Sequence, residues 1–377
     1  MAKAHLAVNR DVNMTEVPTM QASSISFTSL GLVVLDEIRC PDQEPLTDIL
    51  GGSGTYATLG ARLFLSPPSS PSLGWMINVG NDFPSPVKEQ LESWGATLFI
   101  REEANRPSTR GLLEYKDTTF GPKDFKYATP VLAVQEDGLK HTALLASKAF
   151  HYLAGPEDLK VRVSKLLALR AEAGIEERPL ILWEPSPLSC GPENLEACME
   201  AAASVDVLSP NHLELAKLFS ESHLDLIGKN KIEILASKCL DRGVGPDGNG
   251  TVIVRAGENG CFIDDRNNLS AWLDPFYALV SEDTPNATIV DPTGAGNAFL
   301  GSYAVGYLKT GSVIEAACYG SVGASFALEQ VGMPRLSVQG NEELWNGVNV
   351  LSRLEEYMSR HKCGHEGNQP EAISSTP

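Results

Sequence analysis

The sequence predicts an α/β domain of three layers, a mostly parallel sheet covered by helices on both faces. Three observations predict it. Short apolar, β-branched runs alternate with stretches of helical period along most of the chain, the order that parallel strands with helical crossovers require. Hydrophobic residues make up 42% and charged residues 21% of the 377 residues, which suits a large buried core and argues against disorder. The most informative glycines, Gly294 and Gly296, stand between a β-branched run and a long helical pattern. The length suits one large α/β domain or two smaller ones.

Residues 1–24 are polar and unpatterned and read as a flexible lead-in. Ser26 to Val34 then reads as a strand, and Gly52 to Phe64 as a helix opening after glycines. Gly74 to Val79 and Thr97 to Ile100 read as strands around a helix from Ser85 to Trp94. From Thr109 to Leu145 the helical signal weakens among Gly, Pro and Lys, and a small β-insertion fits. Phe150 to Leu153 and Leu180 to Glu184 read as strands separated by a helix from Glu157 to Glu172. Val205 to Leu208 is a strand that runs into a helix at Asn211, and Thr251 to Arg255 is another β-rich run. Thr288 to Val290 reads as a strand before the two glycines. Asn297 to Lys309, Val313 to Leu328 and Glu342 to His361 carry helical patterns. From Lys362 the chain turns polar, so residues 25–361 read as the domain and 362–377 as a disordered tail.

Composition excludes some functions. The chain has 48 acidic and 30 basic residues and a formal net charge of -18, which argues against non-specific binding to nucleic acid or anionic membrane. Phosphate remains a candidate ligand, because backbone N–H groups and a few local cations hold it. The seven cysteines are widely spaced with no CxxC pair, which suits a reducing compartment. His361, Cys363 and His365 resemble a metal cluster, but they sit in the polar tail, and the tail reading is preferred. No apolar run has the length of a membrane span, so the cytosol is the default location, with a nuclear fraction left open.

The segment Thr288-Ile-Val-Asp291-Pro-Thr293-Gly294-Ala295-Gly296-Asn297-Ala-Phe299 carries the chemistry. Its pattern is that of a tight turn and a helix N-terminus. Gly294 and Gly296 let a ligand approach the backbone closely, and the N–H groups of the first helical turn favour an anion. A glycine-rich turn with nothing bound is the plain alternative. Ser209-Pro-Asn211-His-Leu-Glu214 puts Asn211 and Glu214 on one face of a helical turn. An ordinary helix cap reads the same way.

Together these motifs resemble the PfkB family of small-molecule kinases, with the ribokinase-like fold, over roughly Ser26 to Tyr357 and in the family's order. Asp291, Gly294, Ala295, Gly296 and Phe299 agree with the signature Asp-Thr-x-Gly-Ala-Gly-Asp-x-Phe. Gly51-Gly52-Ser-Gly54 resembles the double-glycine substrate loop, Val79-Gly-Asn-Asp82 the Val-Gly-x-Asp element, and Arg255-Ala-Gly257-Glu-Asn-Gly260 the nucleotide loop. Gly51-Gly-Ser-Gly-Thr-Tyr56, Trp183-Glu-Pro-Ser-Pro187 and Glu329-Gln-Val-Gly-Met-Pro334 are similar to the fungal maintenance-of-killer branch, a name that describes a phenotype and no substrate.

The resemblance implies transfer of the γ-phosphate of ATP to a hydroxyl of a sugar-like or nucleoside-like acceptor. It implies Mg2+, a monovalent cation as an optional third ligand, and a β-lid near residues 36–43 and 109–134 through which a homodimer is possible. It implies that Asp36, at the end of the first strand, Gly51, Gly52 and Tyr56 meet the acceptor. Asn211, Arg255, Gly257, Gly260 and Thr293 would meet the nucleotide, Glu214 the metal, and Gly294, Ala295, Gly296 and Asn297 the reacting phosphate. Three departures stand out. Pro292 and Thr293 replace the signature's Thr-x. Arg255 replaces a Thr, exchanging a hydroxyl for a guanidinium that can meet a phosphate or pair with a carboxylate. Tyr56 replaces an Asn, which argues against ribose, fructose and adenosine.

The decisive departure is Asn297, where the family has the Asp that takes the acceptor's proton. A carboxamide is essentially non-basic, and general-base help is typically worth about 10²–10⁴ in rate. Phosphoryl transfer rests mainly on positioning and charge, so three readings stay open: a slow kinase, a kinase using another carboxylate such as Asp82 or Asp291, or a non-catalytic nucleotide-binding protein or scaffold. A Rossmann oxidoreductase fits poorly, because its GxGxxG belongs after the first strand.

Overall fold

Strands that are apolar on both faces must lie between two layers, and the central strands show this residue by residue. Leu182 packs into one buried cluster, while its neighbours Ile181 and Trp183 pack into another. The structure is a computed structural model that describes residues 24–116, 123–221, 227–266, 269–278 and 288–365, the last four by backbone alone. Its strands are β1 (Phe27–Ser29), β2 (Val34–Arg39), β3 (Leu46–Gly51), β4 (Leu73–Gly80), β5 (Thr97–Glu103), β6 (Arg110–Tyr115), β7 (Lys123–Tyr127), β8 (Ala149–Ala154), β9 (Leu180–Pro185), β10 (Val207–Leu208), β11 (Thr251–Arg255), β12 (Cys261–Asp265), β13 (Ser270–Leu273), β14 (Leu336–Gln339) and β15 (Glu342–Trp345). Its helices are α1 (Ser53–Leu63), α2 (Ser85–Ser93), α3 (Pro156–Glu172), α4 (Leu195–Ala202), α5 (His212–Leu218), α6 (Lys229–Asp241), α7 (Ala295–Thr310), α8 (Val313–Leu328) and α9 (Val350–His365).

Among the described residues the main sheet has nine strands in the order β13-β12-β11-β10-β9-β8-β1-β4-β5. It is parallel from β5 to β11, and β12 and β13 are antiparallel. The cluster on one face draws on α1, α2, α7, α8 and α9, and the cluster on the other on α3, α4, α5 and α6. A second sheet of four strands, β3-β2-β6-β7, forms the lid. No described helix is long and apolar enough to cross a membrane.

The sequence reading needs four corrections. The run Ser26 to Val34 is two strands: β1 stays in the main sheet, the chain turns at Gly31 against the start of α1, and β2 pairs in the lid. Asp36 therefore lies within a lid strand and not at the end of a core strand. The lid also holds β3, which carries Gly51. Thr288 to Val290 is not a strand, for the Val290 N–H donates to the Leu328 carbonyl at the end of α8 (2.7 Å) instead of joining a sheet. The helical pattern from Glu342 begins as a hairpin strand, since left-handed backbone at Asn346 (φ 51°) and Gly347 (φ 77°) delays the helix to Val350.

Helices α4 and α6 and the edge strands β12 and β13 were not anticipated. The lead-in lies outside the described residues apart from Ser24. Of the tail from Lys362, only the backbone of residues 362–365 is described, and it continues α9.

Helices α1 and α7 cross at glycines. A Cβ on Gly301 would lie 1.8 Å from the Ala57 carbonyl, and one on Gly60 would lie 2.0 Å from the Ala298 carbonyl. Contact this close brings the N-terminus of α7 against the start of α1, where two candidate loops meet. Gly301→Val should force the helices apart and destabilise the fold by about 1–3 kcal/mol. Urea unfolding measures this, and unchanged stability would show that the crossing tolerates the volume.

Candidate active site

Ligands of parallel α/β sheets bind beyond the carboxyl ends of the strands, and the signature turn lies there. Gly294 adopts left-handed backbone (φ 78°) and caps α7, which begins at Ala295 and so places Gly296 and Asn297 in its first turn. Asp291 is buried and fastens the turn. Its Oδ1 accepts from the Thr293 N–H (2.9 Å), the Thr293 hydroxyl (2.6 Å) and the Tyr115 hydroxyl of the lid (3.0 Å).

Both glycines of the turn are covered by side chains of the chain itself. A Cβ on Gly294 would lie 2.1 Å from Tyr56 Cδ2, so the Tyr56 ring rests on this glycine. A Cβ on Gly296 would lie 1.8 Å from Arg255 Nη1, so the guanidinium rests on that one. Tyr56 is buried; desolvation, helped by Asp291 and Asp36, lifts its phenol far above the ordinary range and keeps the hydroxyl protonated.

Arg255 ends β11 and belongs to a buried polar set. Its Nη1 pairs with Glu184 Oε1 at 2.9 Å, and its Nη2 lies 3.7 Å from Glu214 Oε2 and donates to the Ser209 carbonyl at 2.9 Å. Asn297 Nδ2 donates to Glu184 Oε2. His151 Nε2 lies 3.7 Å from that same oxygen, and its Nδ1 meets the Ser29 hydroxyl at 3.0 Å. Burial alone would raise the Glu184 carboxyl, but Arg255 and His151 outweigh it and hold it below the usual carboxylate range. Burial pushes Glu214, farther from the guanidinium, up to about 7, with Arg255 opposing and Glu184 reinforcing the shift.

The Asn211–Glu214 motif closes on itself as a capping box. Asn211 Oδ1 accepts from the Glu214 N–H at 2.8 Å, and Glu214 Oε2 accepts from the Asn211 N–H at 2.7 Å. Among the described residues no group of three or more His, Cys, Asp or Glu side chains is arranged to hold a metal. Gly257 and Gly260, both at positive φ, bracket the turn from β11 to β12.

On the lid side Asp36 is buried, packed so that a Cβ on Gly51 or on Gly111 would fall 2.0 Å or 2.2 Å from its carboxylate oxygens. Gly52, at positive φ (95°), is the cap of α1, which begins at Ser53. Asp82 accepts from the Ser108 N–H (2.6 Å) and from Arg110 Nε (3.1 Å), so neither it nor Asp291 offers an unengaged carboxylate as a base.

The structure thus brings Tyr56 and Arg255 onto the turn, with Gly51 packed on Asp36 in the lid and Glu214 and Asn211 beside Arg255; Gly257 and Gly260 lie in the turn that follows Arg255. Sequence reasoning gave no role to Glu184, His151 or Tyr115. For Glu184 a signal was there, since an acid that continues the strand of the apolar run Leu180–Trp183 is drawn into the interior with it and then needs a partner.

The polar set predicts an outcome at position 297. Asn297→Asp replaces a donor to Glu184 with a second carboxylate. Stability should fall by about 1–3 kcal/mol at neutral pH. The like charges raise the folded-state pKa of the pair, so the lost stability returns as pH falls. Adding Glu184→Gln should restore a donor–acceptor pair. Urea unfolding at neutral and acidic pH reads both effects, and an Asn297→Asp protein as stable as the parent at neutral pH would contradict the bond.

Known proteins resemble this chain in sequence and in fold. The family described as pfkB family carbohydrate kinase matches residues 47–337. An uncharacterized protein of Schizosaccharomyces pombe is 33% identical over 345 residues, covering 89% of this chain and 93% of that one. Protein MAK32 of Saccharomyces cerevisiae is 29% identical over 357 residues, covering 92% and 95%. Among solved structures, the ribokinase of Giardia lamblia superposes with a TM-score of 0.65 at 14% identity, over 90% of this chain and all of the other (100%).

Proposed function

Because the chain belongs to the pfkB family of carbohydrate kinases, we propose that it transfers the γ-phosphate of ATP to a hydroxyl of a sugar-like or nucleoside-like small molecule. The observation that carries this reading is the Gly294–Gly296 turn at the N-terminus of α7, lying between a lid that bears Asp36 and the ends of the parallel strands. The N–H groups of the first turn of α7 and the helix dipole receive the phosphate. Thr293, Asn211, Gly257 and Gly260 lie on the nucleotide side. Asp36 accepts a hydrogen bond from the acceptor, with Gly51 and Gly52 giving it access and Tyr56 shaping the pocket.

In the transfer, the acceptor oxygen bonds to the γ-phosphorus and the bond to the β–γ bridging oxygen breaks, releasing ADP with that electron pair. Asn297 gives its amide hydrogen to Glu184, which leaves its carbonyl oxygen to orient the acceptor hydroxyl. The proton passes to water. Without a base the rate rests on positioning and charge. The Mg2+ implied by the family does not fit the arrangement described, since Glu214 is held in its capping box and Arg255 lies against both it and Glu184. No step is assigned to it.

The same Asn297–Glu184 bond favours a second reading, nucleotide binding without turnover. Calorimetry with millimolar ATP or ADP tests the ground common to both, and absence of binding would remove both. Gly296→Val should weaken ATP binding, because its side chain closes the approach and displaces Arg255. An ATP-consumption screen over sugars, polyols and nucleosides then separates the two readings: turnover with any acceptor supports the kinase, and binding without turnover supports the second. Once an acceptor is found, Asp36→Asn should weaken its binding about tenfold or more while sparing ATP. Equal loss of both ligands would make Asp36 structural.

A further inference from the structure

Two buried carboxylates beside the signature turn share one cationic side chain. Glu184 and Glu214 are both buried, from β9 and α5, and the Arg255 guanidinium approaches them at 2.9 Å and 3.7 Å. The same guanidinium lies over Gly296, in the first turn of α7, where a Cβ would fall 1.8 Å from its Nη1. Its Nε is buried and finds no acceptor among the described residues, so the group retains a donor that its carboxylate partners do not use. A divalent cation such as Mg2+ takes oxygen ligands in near-octahedral order at about 2.0–2.1 Å. Here three of the four carboxylate oxygens already serve other donors: Glu184 Oε1 serves Arg255, Glu184 Oε2 serves Asn297, and Glu214 Oε2 serves the Asn211 N–H. A cation added beside them would also face the fixed positive charge of the arginine.

Resting on the reading that nucleotide phosphate binds at this turn, we propose that Arg255 takes the divalent cation's place, so that the chain binds the polyphosphate of a nucleotide through the guanidinium without requiring Mg2+. Guanidinium suits the task because its planar fork pairs with phosphate oxygens as it does with carboxylate. An incoming phosphate shares or replaces Glu184 as the partner of Arg255, and the donors of the α7 N-terminus complete its shell. The claim concerns binding and not transfer.

The test has two arms. In the first, calorimetry measures ATP affinity of the full chain in excess Mg2+ and in excess EDTA. The two affinities should agree within about threefold, whereas Arg255→Thr should lose about tenfold or more in EDTA and recover part of it with Mg2+. Arg255→Lys, which keeps the charge on a different shape, guards against a fold defect and should fall between. In the second arm, electron paramagnetic resonance follows Mn2+ uptake without nucleotide. The parent should take up none through Glu184 and Glu214, and Arg255→Thr should gain a site that Glu184→Gln removes.

Parent affinity that falls tenfold or more in EDTA overturns this proposal and leaves the kinase reading standing. Parent Mn2+ uptake that Glu184→Gln abolishes overturns it as well. Absence of ATP binding in both conditions overturns the nucleotide reading together with this one.

Discussion

One buried guanidinium facing two buried carboxylates is the interaction on which the candidate site depends. Arg255, Glu184 and Glu214 come from β11, β9 and α5, so the ion pair joins the carboxyl ends of two strands to the helix that follows β10, the strand between them. Removing one member of such a buried pair typically costs about 3–5 kcal/mol, because a charge is left without a partner. The glycine of α7 under the guanidinium ties a fourth segment to the same group. Alteration of any one of these residues reaches the others through this contact.

The set also changes how Asn297 reads. Taken alone, an amide in place of the family's acid is a lost base. In the structure the amide is the donor that Glu184 requires, while Arg255 satisfies the other oxygen of the same carboxylate. An acid at position 297 beside Glu184 would place two carboxylates against one arginine. Arg255 and Asn297, both departures from the family's motifs, are thus consistent with each other: each supplies hydrogen to a carboxylate that lies in an apolar strand. The chemistry available at the turn follows from the group of three and not from one substitution.

Much of the fold was legible because its signals are local. Strand β11 and helix α8 match their apolar runs residue for residue, and α1, α2 and α3 fall within a residue or two. The same locality explains the failures. Ser26 to Val34 is one apolar run, and only the packing of Gly31 against Gly54 decides that it divides between two sheets. Strand β15 falls within a run of helical pattern, and it is held as a strand with the help of the pair between buried Arg62 and half-buried Glu343, 281 residues apart. The candidate turn was read correctly as a helix N-terminus because caps and glycines act within a few residues. What covers the turn was not legible, since Tyr56 and Arg255 arrive from distant elements and nothing near them in the sequence states where they point.

The lid is bound to the turn by contacts that the sequence also hid. Tyr115, in β6, donates to Asp291 beside the first glycine, and burial with the nearby Asp291 lifts its phenol above the ordinary range, so it remains a donor at neutral pH. Arg110, at the start of the same strand, reaches Asp82 in the loop after β4 and Asp48 in β3. Strand β6 therefore carries a buried tie at its end and an exposed one at its start. The exposed pairs exchange readily with water and contribute little, whereas the tie at Tyr115 joins the lid to the Asp291–Gly296 turn. Displacement of the lid at its outer edge costs little, while displacement at Tyr115 removes a donor from Asp291, whose hydrogen bonds hold Thr293 and shape the turn. The lid and the turn are mechanically one unit at that carboxylate.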